Sequence, residues 1–277
     1  MDEDDDVRKL THVKPEEFDE DYNGESDEED LPDYIKSIRT KTGLETGIQV
    51  DWPSMKNPLM LSTCMEAEDI SPMFGGTAWA GTRIWRAAVA ATDYVIEFHG
   101  KDATISNALE LGAGLGLPGM ILHGLFGWNV VLSDLEPLPR QMQLNIEKNF
   151  PETSGKRIHA RELDWSREGV QDLLKDTSIA GSSLATEGFD IVLNCDCVYE
   201  PLYGLSWKCL VEATDELLRV NPQTIMITSL ERRKADGIDN FLVALEQSPN
   251  IQKVERLLEF DSKYPEVQLY RIYGSIP

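Results

Sequence analysis

The chain has 277 residues, of which 41% are hydrophobic, and a formal net charge of −23. This length and apolar content can supply the core of one large domain or two small ones, and no run of about 18 apolar residues predicts a membrane-spanning helix. The acidic charge and the lack of a basic stripe argue against a free nucleic acid as substrate.

The first 30 residues differ from the rest in composition, with 15 Asp and Glu against three Lys and Arg. Such a segment cannot bury enough apolar surface to offset its chain entropy, so residues 1–30 are predicted to be a disordered acidic tail, alternatively one that attracts basic partners. Residues 31–75 mix short apolar runs with Pro and Gly, which predicts a lead-in of short strands and loops. The main domain is expected over residues 76–277.

From residue 82 onwards, helical and strand-like patterns alternate. Apolar residues at helical spacing predict a helix over 82–99. Strands are predicted at 105–111, 129–134, 157–163, 189–196 and 223–230, and helices at 117–126, 139–150, 167–175, 202–220 and 238–247. Two close-set strands, 253–260 and 267–274, suggest one strand that returns antiparallel at an edge. The alternation predicts a doubly wound α/β fold with a mainly parallel sheet.

The segment "LELGAGLGLPG" (109–119) places Gly112, Gly114 and Gly116 in a turn from strand to helix. In a doubly wound sheet this turn borders the ligand crevice, and glycine allows positive φ and a close approach of a ligand to the backbone. The alternative is that these glycines only pack the helix against the strand. Asp134 ends the next strand, where a carboxylate can bind the two hydroxyls of a ribose.

Two nucleotide cofactors suit this arrangement. "GLGLPG" (114–119) matches the GxGxxG fingerprint of dinucleotide-binding proteins. Glu110, two residues before the first glycine, would repel a pyrophosphate. S-adenosylmethionine carries no phosphate, and a nearby carboxylate can attract its ammonium group directly or through water. The sequence therefore favours S-adenosylmethionine.

Several segments in a fixed order carry a family resemblance. "GTRIW" precedes the glycine turn, and "LSD", "ELDW" and "DCVY" follow it, ending at Asp134, Trp165 and Tyr199. Together they resemble the seven-β-strand methyltransferases, and among these the methyltransferase-like protein-lysine group with its DxxY motif, over about residues 75–275. The resemblance implies a Rossmann-like sheet of strand order 3-2-1-4-5-7-6 with strand 7 antiparallel. It also implies methyl transfer from S-adenosylmethionine to a protein side-chain nitrogen, lysine above all.

The resemblance also implies roles for individual residues. Cofactor contacts are expected, together with Glu110, at Trp85, Gly112, Ala113, Gly114, Asp134, Trp165 and Cys195. Asp196 and Tyr199 of the DxxY motif are expected to be catalytic, with Asp196 aiming the incoming nitrogen. Glu200 is a candidate for substrate binding. No metal is expected, because the leaving thioether of such a reaction is neutral.

Two departures from the family pattern leave the acceptor open. Cys195 stands where alanine is common, and Arg86 follows Trp85 where proline or an acid is more usual. Protein-arginine methylation, a small-molecule acceptor and a cofactor-binding chaperone or assembly module with little catalysis remain alternatives. The expected partner is a protein substrate such as a translation factor or chaperone, bound by a monomer that contacts neither free nucleic acid nor membrane. Four cysteines without a CxxC pair, and an N-terminus unlike a secretory signal, predict the cytoplasm, with the nucleus as a second location.

Overall fold

The computed structural model describes residues 31–39, 41, 45–63, 80–179, 184–260 and 262–276. The acidic tail over 1–30 lies outside these residues, as does part of the lead-in. Within the described ranges, no helix has the length and apolar character needed to cross a membrane.

The strands are short and follow the apolar runs of the sequence. They are β1 Ile35–Arg39, β2 Glu45–Val50, β3 Leu59–Ser62, β4 Asn107–Leu111, β5 Asn129–Asp134, β6 Ile158–Glu162, β7 Ile191–Cys195, β8 Ile225–Glu231, β9 Ile251–Leu257 and β10 Val267–Gly274. The helices are α1 Arg86–His99, α2 Leu117–Phe126, α3 Leu138–Asn149, α4 Arg167–Lys175, α5 Leu184–Glu187, α6 Glu200–Tyr203, α7 Trp207–Val220 and α8 Ile238–Glu246. A short 3₁₀ turn, Leu258–Phe260, follows β9.

Seven strands form one sheet in the order β6-β5-β4-β7-β8-β10-β9. Strands β4 to β8 pair in parallel, whereas β10 runs antiparallel to both β8 and β9. Counted within this sheet, the order is 3-2-1-4-5-7-6, so the predicted topology and the antiparallel last strand are confirmed. From β4 to β6 the strands are added towards one edge of the sheet, and from β7 onwards they are added towards the other edge. The point between β4 and β7 where this order reverses is where open α/β sheets bind their ligands.

Two apolar layers cover the sheet, one on each face. One layer contains side chains of α1, α2 and α3, and the other contains side chains of α4, α7 and α8. Successive residues of a strand point to opposite faces. Ala108 of β4 therefore belongs to the first layer and Leu109 to the second. The same alternation turns Glu110 towards the α2 side.

The lead-in folds as a small antiparallel sheet of β1, β2 and β3. Its β3 edge is paired with side-chain amides from α3 rather than with another strand. The Met60 N–H donates to Asn149 Oδ1, the Ser62 N–H donates to Asn145 Oδ1, both at 2.8 Å, and Gln141 Nε2 donates to the Ser62 carbonyl. Because these three amides are four residues apart on one helix face, they satisfy the strand edge and fix the lead-in against α3.

Two predicted helices differ from the structure by more than one residue at an end. The helix predicted from residue 82 begins at Arg86, because Trp85 has extended backbone and serves as the N-cap. The helix predicted over 202–220 is divided at Gly204, whose φ of 57° and ψ of −136° separate α6 from α7. Apolar periodicity continues across such a break, so it did not reveal the interruption.

Candidate active site

The turn after β4 holds the carboxylate at the end of β5. Gly112, Gly114 and Gly116 all have positive φ, between 54° and 75°. This conformation aims the Gly114 N–H at Asp134 Oδ2, 2.8 Å away, while the Leu135 N–H donates to Asp134 Oδ1. Burial raises the pKa of Asp134 to about 6, although both backbone bonds favour the ionised form. The half-buried Asp134 is thus fixed in place at the carboxyl edge of the sheet.

The glycines are also required by the packing of the protein itself. A Cβ on Gly112 would lie 2.6 Å from Cys197 Sγ and 3.0 Å from Trp165 Cζ2, and a Cβ on Gly114 would lie 2.8 Å from the Gly81 carbonyl oxygen. Gly116 is similarly close to Leu132. Packing within the protein therefore also favours glycine at these positions, and the predicted ligand-facing role of the turn rests on the carboxylate that it holds, Asp134.

Glu110 lies beneath this turn. The residue is 2% exposed, and its Oε2 accepts the Gly119 N–H at 2.9 Å in the first turn of α2. Burial, and to a smaller degree the neighbouring Asp134, raises the pKa of Glu110 to about 8. The hydrogen bond from the Gly119 N–H lowers the pKa and offsets part of this effect. The carboxyl is therefore mostly protonated at neutral pH. Its predicted contact with the ammonium of the cofactor stays a prediction.

Trp165 and the Cys195–Cys197 segment border the same turn. Trp165 has a φ of 60°, unusual for so large a residue, and its indole Nε1 has no hydrogen-bond partner among the described residues. Cys197 Sγ lies 3.4 Å from the Leu111 carbonyl. Burial raises the thiol pKa of Cys195 and Cys197 well above the usual range, so both stay neutral. The described residues contain no group of His, Cys, Asp and Glu able to hold a metal ion.

Asp196 follows β7 directly and is held by β8. Its φ is 57°, and its own N–H donates to the Ser229 carbonyl at 2.7 Å. Asp196 Oδ1 accepts the Glu231 N–H at 3.1 Å, and Oδ2 lies 2.8 Å from Arg233 Nη2. The Asp196 side chain is only 4% exposed. Trp165 and Asp196 both have left-handed backbone and both follow strands at the carboxyl edge of the sheet. This fits the tendency of strained residues to cluster at functional sites.

Arg233 connects the predicted catalytic residues. Its guanidinium carbon lies 5.4 Å from the ring centroid of Trp85 and 5.5 Å from that of Tyr199, within the range of cation–π attraction. Trp85 itself donates its Nε1–H to the Ala80 carbonyl at 3.0 Å. The structure thus brings Trp85, Asp196 and Tyr199 together around one cation.

Glu200 is engaged within the protein. Its Oε1 accepts the Trp207 Nε1–H at 2.9 Å, and its side chain lies against Gly237, where a Cβ would be 2.4 Å from Glu200 Cγ. Gly237 has a φ of 81°, so both its conformation and its neighbour demand glycine. The role of Glu200 in substrate binding stays a prediction, and the geometry gives it a structural contact as well.

Three residues at this site were not assigned from the sequence: Cys197, Glu231 and Arg233. Cys197 lies under Gly112, whereas Glu231 and Arg233 contact Asp196. One signal in the sequence could have found the last two. A buried strand that ends in "ERR" at the carboxyl edge of a parallel sheet places charged groups next to the ligand crevice.

A sequence model of a protein family, described as lysine methyltransferase, matches residues 75–248. That range contains the glycine turn, Asp134, Trp165 and the Asp196–Tyr199 motif. The chain belongs to the lysine methyltransferase family. The predicted resemblance is thereby confirmed, and with it the class of enzyme.

Individual relatives of this methyltransferase differ in what they are named for. Secreted RxLR effector protein 48 of Plasmopara viticola is 35% identical over 145 residues, which cover 50% of this chain and 70% of that protein. Protein N-lysine methyltransferase METTL21A of Danio rerio is 28% identical over 188 residues, covering 68% and 75%. EEF1A lysine methyltransferase 3 of Mus musculus is 31% identical over 147 residues, covering 51% and 54%.

S-adenosylmethionine, the methyl donor of this family of enzymes, suits the residues on the carboxyl side of β4 and β5. Asp134 is a fixed, half-buried carboxylate of the kind that binds a ribose diol, and Trp165 offers an indole beside Gly112. The two thiols and the protonated Glu110 are neutral, so none of them places a positive charge beside a donor that is itself cationic. The residues fit the cofactor.

Proposed function

We propose that this methyltransferase transfers a methyl group from S-adenosylmethionine to the side-chain amine of a lysine in a protein acceptor. The observation that carries the proposal is the family match over 75–248, which includes every residue predicted for the site. Alignment, rather than a metal or a covalent intermediate, is then the main task of the protein.

The residues divide into a cofactor group and an acceptor group. When bound, S-adenosylmethionine supplies a methyl group on a positively charged sulfur, ready for transfer to a nucleophile. Asp134, with the backbone of Gly112, Ala113 and Gly114, would hold the ribose and the methionine end, and Trp165 would flank the adenine. The Gly114 N–H bond to Asp134 at 2.8 Å supports this role, because it fixes the carboxylate before any ligand binds.

Asp196 and Tyr199 form the acceptor group, and the ring of Trp85, a predicted cofactor contact, lies beside them. A lysine has a pKa near 10.4 in water, so its amine must lose a proton before it can act as a nucleophile. Asp196 can accept a hydrogen bond from the amine and direct its lone pair, while the aromatic rings line the path of the lysine side chain. The convergence of these side chains on Arg233 supports their assignment to one site.

The acceptor is proposed to be a soluble protein. The enzyme is proposed to act as a monomer in the cytoplasm, and in the nucleus as well. EEF1A is the first protein to test, because one relative is named EEF1A lysine methyltransferase 3. The buried, free thiols of Cys195 and Cys197 suit a reducing compartment.

The test is labelling of an extract. The purified protein is incubated with methyl-labelled S-adenosylmethionine and an extract of cells that lack this protein. The labelled band and the labelled residue are then identified by mass spectrometry. A band with methylated lysine is expected. A filtrate free of protein serves as the comparison for a small-molecule acceptor. Labelled arginine, label in the filtrate, or tight cofactor binding without any transfer would each contradict the proposal.

A further inference from the structure

Four charged side chains of alternating sign run from α1 to the end of β7. Arg86 Nη1 lies 3.9 Å from Glu231 Oε1, Glu231 Oε2 lies 3.2 Å from Arg233 Nη2, and Arg233 Nη2 lies 2.8 Å from Asp196 Oδ2. All four side chains are between 4% and 16% exposed. We refer to these residues as the charge chain.

The charge chain is fixed in place at Arg233. The Arg233 N–H donates to Asp236 Oδ2 at 3.0 Å, and the guanidinium lies between the rings of Trp85 and Tyr199. Removing one member of a buried ion pair leaves its partner uncompensated, so displacement of Arg233 by an incoming side chain would be unfavourable. Arg233 is therefore expected to stay in place while the acceptor binds.

A fixed cation beside Asp196 bears on the chemistry of the acceptor amine. An unpaired carboxylate favours the protonated amine, because opposite charges attract, and a protonated amine cannot attack a methyl group. A guanidinium next to that carboxylate opposes the effect, while the carboxylate can still accept a hydrogen bond at a free lone pair. Asp196 can thus orient the amine without holding it as an ammonium ion.

We infer that Arg233, with Glu231 behind it, is a positioning residue that sets the charge facing the acceptor lysine and thereby the pH at which that lysine becomes nucleophilic. The inference rests on the proposed function, since it presumes that a lysine enters beside Asp196. It goes beyond the family assignment, because neither Glu231 nor Arg233 belongs to the glycine turn or to the Asp196–Tyr199 motif.

Other titratable groups face the charge chain from neighbouring elements. They are Cys195 and Cys197 at the end of β7, Tyr199 and Tyr203 at α6, Asp236 before α8, and Tyr264 and Glu266 before β10, while Glu110 on β4 and Asp134 on β5 lie one step further away, next to the two thiols. Burial keeps both thiols and Tyr203 neutral by raising each pKa well above the usual range. The pKa of Asp134, about 6, and of Glu110, about 8, place their titration within the assay range, so variants are compared with the parent at each pH.

Two substitutions change the charge in opposite directions. Arg233→Gln removes a positive charge and should move the acid limb of the pH profile of kcat upward by about one pH unit, the size expected for a unit charge several ångströms away in a partly buried site. Glu231→Gln removes a negative charge and should move the limb downward by a smaller amount. Arg233→Lys keeps the charge but loses the planar fork, so kcat should fall while the limb stays in place.

A binding measurement needs no acceptor protein. n-Butylammonium resembles the end of a lysine side chain and is titrated by calorimetry into each variant saturated with S-adenosylhomocysteine. Arg233→Gln should bind it about tenfold more tightly than the parent, which is the affinity equivalent of one pKa unit. Glu231→Gln should bind it more weakly. Arg219→Gln is the matched control, because Arg219 pairs with Glu216 in the last turn of α7, away from the charge chain, and should leave both readouts unchanged.

Thermal melting establishes that each variant is folded before comparison. Opposite shifts for Arg233→Gln and Glu231→Gln in either readout support the inference, because a purely structural role would lower activity in both without moving the pH limb. Shifts of the same sign would overturn it. So would equal affinity for n-butylammonium in all variants, or no measurable binding of it to any of them. If the extract yields no labelled protein, the proposed function fails, whereas the amine titration still decides this inference.

Discussion

Glu110 offers a test of the site that needs no knowledge of the substrate. The folded protein buries this carboxyl group under α2 and raises its pKa from 4.5 to about 8, mainly by burial. In Glu110→Gln, the amide oxygen can accept the Gly119 N–H in place of the carboxyl oxygen, but the side chain has no ionisable proton. The variant therefore separates the shape of the residue from its charge.

The sign and size of the effect follow from that shift. Because the folded pKa lies above the unfolded one, the folded state binds more protons in between, so this group stabilises the fold fully below about pH 4.5 and loses that contribution as the pH rises through about 8. At 1.36 kcal/mol per pKa unit, the contribution should fall by about 3.5 kcal/mol between pH 5 and pH 8. Relative to the parent, Glu110→Gln should gain that amount over the same range.

Urea unfolding followed by circular dichroism at pH 5, 6, 7 and 8 measures the difference. Carboxyl groups remote from Glu110 titrate in both proteins and cancel, and the coupling between Glu110 and Asp134 is small beside the effect of burial. Glu147→Gln, at an exposed position of α3, is the matched control and should show no comparable change. If the free energies of unfolding of parent and Glu110→Gln stay parallel from pH 5 to pH 8, Glu110 is not the buried, protonated group described above.

Asp134→Ala should weaken S-adenosylmethionine binding by about 1.5–3 kcal/mol, as for a lost hydrogen bond to a charged group, and unchanged affinity in calorimetry would remove Asp134 from the site. Gly114→Ala should lower the melting temperature by more than Gly155→Ala, since both have positive φ but only the Cβ at 114 meets protein atoms; equal losses would contradict the close approach. Asp196→Asn should lower kcat by roughly ten- to a thousandfold, as when a positioning contact is lost, with cofactor affinity within about tenfold, and full activity in single-turnover assays would refute its role. Deletion of 1–30 should leave melting temperature and cofactor affinity unchanged, because such a composition adds no core, and a large fall in melting temperature would show a structured tail.

Much of the fold could be predicted because local patterns and sheet topology agree. The predicted bounds of the helix at 117–126 and of the strands at 129–134 and 267–274 match the structure. In each case turn residues or glycine stop the apolar pattern abruptly. Where a glycine lies inside a helical pattern, as Gly204 does, the sequence alone does not show whether the helix continues through it or ends there.

The cofactor side of the site was accessible to sequence reasoning for a similar reason. Gly112, Gly114 and Asp134 are specified by the turn after one strand and the end of the next, so their proximity follows from parallel pairing of neighbours. Family and enzyme class are confirmed, whereas the roles of the individual residues stay predictions. The inward orientation of Glu110 could also have been read from the period of two along β4, which turns it towards α2.

The acceptor side depends on register between strands far apart in the sequence. Cys195 pairs with Ser229, so Asp196 comes beside Glu231 and within reach of Arg233. No local pattern gives that register, because a shift of one residue would preserve the apolar character of both buried strands. The charge chain therefore became visible only in the folded structure.

The central claim is that a protein lysine receives the methyl group. It is tested most directly by complete acid hydrolysis of the labelled extract protein, followed by chromatography of the labelled amino acids, with Asp134→Ala as the enzyme control. The label should co-migrate with Nε-methylated lysine and should be strongly reduced with Asp134→Ala. Label that co-migrates with methylated arginine, or transfer that is equal for parent and Asp134→Ala, would contradict the account.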